Sequence, residues 1–123
     1  MSAEPIVYCL TRDRAFAAAL DERLVGAIAF FFNDAARLHQ AVILRSPSHV
    51  VVDTDAIREE YGDAGLGPVV DFLRHRAEGA PISIRPTVGA EHLIMAEAGD
   101  GVTLLPEELT ACVDAVARIC GCD

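Results

Sequence analysis

The stretch His49-Val50-Val51-Val52-Asp53 decides the reading of the chain. Three successive valines between a Ser46-Pro47 stop and a polar segment form a short, continuous, β-branched run. Such a run fits a strand buried on both faces, as parallel sheets require, and not an alternating half-exposed strand.

Working outward, Ile6 to Leu10 (IVYCL) is a second run of this kind, ended by Thr11-Arg12-Asp13. Apolar spacing through Phe16, Ala19, Leu20 and Leu24 then predicts a helix, with Asp13 or Thr11 as N-cap and Gly26 closing it. Ala27 to Phe32 (AIAFFF) reads as a strand, Asn33-Asp34 as a cap, and Ala35 to Leu44 as a helix whose Leu38, Ala41, Val42 and Arg45 set its two faces. Ser46-Pro47 stops it.

Beyond Asp53, the polar stretch Thr54 to Gly67, with its three glycines and Arg58-Glu59-Glu60, reads as an enlarged surface loop holding one helical turn. Pro68 takes the first position of a helix that runs to Gly79 through Val69, Val70, Phe72 and Leu73. Pro81 to Arg85 (PISIR) is a fourth strand, Ala90 to Ala98 (AEHLIMAEA) a helix closed by Gly99, and Gly101 to Leu105 (GVTLL) a fifth strand. Pro106 starts a last helix whose Leu109, Val113, Val116 and Ile119 form an apolar face as far as Gly121.

Five apolar strands alternating with five helices define an α/β chain with a parallel sheet covered on both faces. Right-handed crossovers reduce the topology to a doubly wound, flavodoxin-like sheet of order 2-1-3-4-5. The 123 residues suit one domain spanning 1–123, which can stand within a longer protein.

The formal net charge is −9 and lysine is absent. A field of that sign repels phosphate backbones and anionic lipid, which argues against a nucleic-acid or membrane partner. Met1 to Pro5 lacks a basic n-region, and the longest apolar run, Leu24 to Phe32, is nine residues. The expected location is therefore the cytoplasm, with Cys9, Cys112, Cys120 and Cys122 reduced. Cys120-Gly-Cys122 looks like half of a metal clip, but the other cysteines lie on different elements. His39, His49, His75 and His92 have no ligand spacing. No metal or cofactor is expected on these grounds.

Ligands of an open α/β sheet bind beyond the carboxyl ends of its strands. The residues delivered there are Thr11, Arg12 and Asp13, then Asp53, Thr54 and Asp55, then Pro86 and Thr87, and finally Leu105-Pro106. The segment after the first strand has no glycine to cradle a phosphate and no GxGxxG or Walker lysine, so a flavin or nucleotide enzyme ranks low.

At these positions the chain resembles the receiver domains of bacterial two-component response regulators, over nearly its whole length. IVYCL-TRDRAF stands where receivers have a strand and an acid cluster, HVVVD where they have the phosphoaccepting Asp, PISIRPT at strand four and AGDGVTLLPEEL at the strand-five segment. By this resemblance Asp53 takes the acceptor position. The remaining pocket is degenerate: Thr11 and Arg12 replace the acid pair with Asp13 one place on, Pro86 beside Thr87 stands at the hydroxyl position, and Leu105 replaces the lysine.

Receiver chemistry uses Mg²⁺ and a lysine to neutralise phosphoryl oxygens, and here only Asp13 and Asp53 are candidate Mg²⁺ ligands. The leading expectation is a non-catalytic pseudo-receiver that signals through contact with a protein partner or with itself as a homodimer. Arg12 could pair with Asp53 in place of a metal. The alternative is a Mg²⁺-dependent phosphoacceptor charged on Asp53 by a histidine kinase. A third reading is an acidic regulator that mimics an anionic ligand for a basic partner. Asp53 and Asp13 also have plain structural readings, as a strand-end turn former and a helix cap. By resemblance, the interaction surface is assigned to His92, Leu93, Met95, Ala96, Val102, Glu107 and Glu108.

Overall fold

A computed structural model of the chain describes residues 4–62, 65–77, 79–86 and 101–122. Strands β1 (Ile6–Leu10), β2 (Ile28–Phe32), β3 (His49–Asp53), β4 (Ile82–Arg85) and β5 (Val102–Leu104) pair in parallel in the order β2-β1-β3-β4-β5. This is the expected doubly wound sheet. The helices among the described residues are α1 (Arg14–Arg23), α2 (Ala35–Leu44), α3 (Thr54–Tyr61), α4 (Leu66–Arg76) and α5 (Leu109–Ile119). The helix expected over residues 90–98 lies outside the described residues.

Strand alternation divides the core in two. Ile6, Tyr8, Leu10, Val50, Val52, Ile82 and Ile84 pack under α2, α3 and α4, whereas Val7, Cys9 and Val51 pack with α1 and α5. The three central valines are therefore buried on both sides of the sheet, which is why β3 reads as a continuous apolar run. The Tyr8 hydroxyl donates to the Arg45 carbonyl at 3.0 Å and so meets the C-terminal end of α2. At the open edge, Phe30 of β2 is 46% exposed.

Several expectations need correction. Thr54 to Gly67 is not a loop: Thr54–Tyr61 is helical, capped by Asp53 and ended at Gly62, whose φ of 81° suits glycine. Only Ala56 and Ile57 of this helix reach the apolar core besides the buried Thr54, so its apolar stripe is too short to stand out in the sequence. Pro68 is the third residue of α4 and not its first. A helix tolerates proline throughout its first turn, because those N–H groups have no internal acceptor.

The last helix starts at Leu109 and not at Pro106, because the Glu108 carboxylate caps it by accepting from the N–H groups of Thr110 and Ala111. Helix α1 ends at Arg23, before the turn that holds Gly26 at a φ of 90°.

Candidate functional site

The parity of the strands builds the site. Cys9, Val51 and Ser83 occupy the side of the sheet that faces α1, and two residues further along each chain direction stand Thr11, Asp53 and Arg85. The β3–β4 register places Asp53 beside Arg85 at the carboxyl end of the sheet. Asp13, the N-cap of α1, closes the group from above.

Asp53 is 3% exposed, and both of its carboxylate oxygens are engaged. Oδ2 accepts from the Thr11 hydroxyl at 2.7 Å and from Arg85 Nη1 at 3.3 Å, while Oδ1 accepts from the Asp55 N–H at 3.2 Å. The same Arg85 Nη1 donates to Asp13 Oδ2 at 2.8 Å. Asp13 Oδ1 accepts from the N–H groups of Ala15 and Phe16 at 3.0 and 3.1 Å.

The guanidinium carbon of Arg85 lies 4.4 Å from the centroid of the Phe16 ring, a cation–π contact beneath α1. The Arg85 carbonyl in turn accepts from the Thr54 hydroxyl at 2.8 Å. One arginine side chain thus joins α1 and β3 from its place at the end of β4.

Electrostatics separate the two acids. Burial pushes the Asp53 carboxyl above its ordinary value of 3.8, against the opposing pull of the Thr11 hydroxyl and the Arg85 charge. The hydrogen bond from Arg85 holds Asp13 below that value, helped by the Phe16 N–H.

The expected partnership of Arg12 with Asp53 does not form. Arg12 Nε donates to the Asn33 carbonyl at 2.8 Å, and its Nη1 meets Glu59 of α3 at 3.2 Å in an exposed pair. Its geometric reason is parity: Arg12 follows Thr11 and turns away from the side of the sheet that carries Asp53. The cation beside Asp53 is Arg85, which sequence reasoning passed over although it stands last in PISIR. Strand register and parity together were the signal.

The other expected positions divide. Leu105 is buried in the α1–α5 core with its N–H donated to the Ile84 carbonyl at 2.8 Å, and Pro86 is buried directly after the end of β4. Val102 is half-buried, Glu107 is exposed, and the Glu108 carboxylate is committed to capping α5. Thr87, His92, Leu93, Met95 and Ala96 lie outside the described residues. Where a loop was expected, α3 reaches back over neighbouring elements: Glu59 meets Arg12, and Glu60 Oε1 accepts from the Ala35 N–H at 2.9 Å.

A divalent ion needs several converging oxygen donors, and Mg²⁺ holds most of its shell as water around one or two carboxylates. Here the two inward oxygens, Asp13 Oδ2 and Asp53 Oδ2, converge on the Arg85 guanidinium itself. The outward oxygens serve as caps for α1 and α3. The residues present do not fit a divalent cation. Among the described residues no group of three His, Cys, Asp or Glu side chains is placed to hold a metal.

The whole fold matches that of the beryllofluoride-activated NtrC receiver domain solved in solution, with a TM-score of 0.67 at 19% sequence identity over 98% of this chain and 97% of that one. The chain therefore has the architecture of a response-regulator receiver domain. No family model and no curated protein matches its sequence.

Proposed function

We propose that the chain is a pseudo-receiver: a signalling module in the cytoplasm that works through contact with a protein partner or a second copy, without accepting a phosphoryl group. The observation that carries this reading is the state of Asp53. An acceptor carboxylate must present an accessible oxygen to the incoming phosphorus, whereas Asp53 is 3% exposed and both of its oxygens already accept hydrogen bonds inside the protein.

The surroundings supply no compensation. Leu105 brings an apolar side chain to the position where receivers carry a lysine, and no lysine exists elsewhere in the chain to neutralise phosphoryl oxygens. A domain of this kind acts by the shape and charge of its surface. We assign that surface to His92, Leu93, Met95 and Ala96 together with Val102 and Glu107, the face that receivers use for pairing. Glu108, exposed beside Glu107, belongs to the same face while its carboxylate caps α5.

The test is incubation with a small phosphoryl donor and Mg²⁺ followed by intact-mass measurement. The expected outcome is an unchanged mass. A stoichiometric phosphoryl adduct that disappears in Asp53→Asn would overturn the reading and establish the phosphoacceptor alternative.

A further inference from the structure

We infer that Arg85 is a tethered cation that takes the place of a divalent ion, so that the pocket is closed to metal by a residue of the chain itself and opens to metal when that residue is removed. This deepens the pseudo-receiver reading and rests on it. It names what keeps Asp53 from behaving as an acceptor.

The argument begins with charge. Asp13 and Asp53 are two carboxylates from different elements whose Oδ2 atoms are bridged by one nitrogen, at 2.8 and 3.3 Å. Two acids brought this close repel each other unless a positive charge lies between them. A receiver-like pocket can obtain that charge from a bound ion, which comes and goes, or from a side chain, which does not.

Arginine suits the second solution. Its guanidinium keeps its proton at every pH at which the protein folds, offers planar donors to several oxygens at once, and is weakly enough hydrated to sit against an aromatic face. Arg85 uses these properties together, between two carboxylates and 4.4 Å from the Phe16 ring centroid. Its side chain is 17% exposed, and its backbone is fixed by the Thr54 hydroxyl and by the β3–β4 register. The cation is built in when β4 pairs with β3.

The consequence is selectivity against metal. To enter, an ion would have to displace a covalently attached competitor whose local concentration never falls. Without the guanidinium, the two Oδ2 atoms would be left as adjacent, unneutralised acceptors, which is the condition under which a hard divalent cation binds.

The experiment uses Mn²⁺, a paramagnetic probe of hard oxygen sites, with amide NMR broadening read at Asp13, Asp53 and Asp55 in the wild type, Arg85→Ala and Arg85→Gln. The glutamine variant retains a polar stem of similar length in case the alanine variant does not fold. The expected result is no saturable broadening in the wild type and saturable broadening in the variants, complete at a Mn²⁺ concentration at least about tenfold below the highest at which the wild type is unresponsive. Adding Asp13→Asn to either variant should abolish it.

Saturable broadening at these residues in the wild type would overturn the inference, because the guanidinium would then yield to metal. So would variants as unresponsive as the wild type. Neither result depends on phosphoryl transfer, so the mass measurement and the Mn²⁺ titration fail separately.

Discussion

The two acids that share Arg85 behave oppositely in acid, because burial dominates at Asp53 and the Arg85 hydrogen bond at Asp13. Asp13 is held below its ordinary value chiefly by the Arg85 hydrogen bond, so its contribution to stability is complete above about pH 4 and is lost as the pH falls through its lowered value. Asp53 is pushed above 3.8 by burial, so its ionisation subtracts from stability as the pH rises from 3.8 through its raised value. Around pH 4 the two therefore oppose each other. Arg85→Ala should raise both titration midpoints in a carboxyl-carbon NMR titration, and Asp13 should move further, since Arg85 is its largest influence and only a lesser one on Asp53. An unmoved Asp13 would show that the 2.8 Å pair does not persist in solution. Asp53 was legible in the sequence because it ends a decisive strand. Arg85 was not, because its role depends on which strand ends lie side by side and on which face, a matter of register and not of residue type.

The helices that follow β3 were the least legible elements. The sequence signal for a helix is an apolar stripe, and α3 buries only Thr54, Ala56 and Ile57 among five other residues that are polar, charged or aromatic. Its junction with α4 is tight for a reason that no backbone dihedral reveals. Gly65 has an ordinary φ of −76°, yet a methyl group there would stand 2.6 Å from Tyr61 Cβ and 2.9 Å from Ile57 Cγ2. These atoms lie near the helix backbone and cannot swing aside. Gly65→Ala should therefore destabilise the protein by about 1–3 kcal/mol, measured by denaturant unfolding, whereas the usual gain from replacing a glycine would apply if the site were open. The strands and α2, in contrast, were read at or within a residue of their ends, because continuous apolar runs and the Asp34 cap carry their own boundaries.

The division of the core into two layers also sets the chemistry of the thiols. Cys9, Cys112 and Cys120 lie in the layer between the sheet and the α1–α5 pair, while Cys122 is only half-buried. Burial pushes the thiols of Cys112 and Cys120 up to about 11 and that of Cys9 well above the ordinary range. An alkylating reagent at neutral pH should label Cys122 in the folded protein and the other three only after unfolding, as counted by intact mass. Rapid labelling of Cys112 without denaturant would show that this layer opens locally.

The layered, all-parallel arrangement has a kinetic side as well. Thr11 and Asp53 are 42 positions apart, Asp53 and Arg85 are 32 apart, and Asp13 and Arg85 are 72 apart. Each link closes a long stretch of chain, at a cost in chain entropy that no local turn offsets. The Thr11–Asp53 bond must await the meeting of β1 and β3, and the Arg85 bridge must await β4. The cluster at the strand ends thus forms only once β1, β3 and β4 have met, and it is lost when any one of them separates from the others.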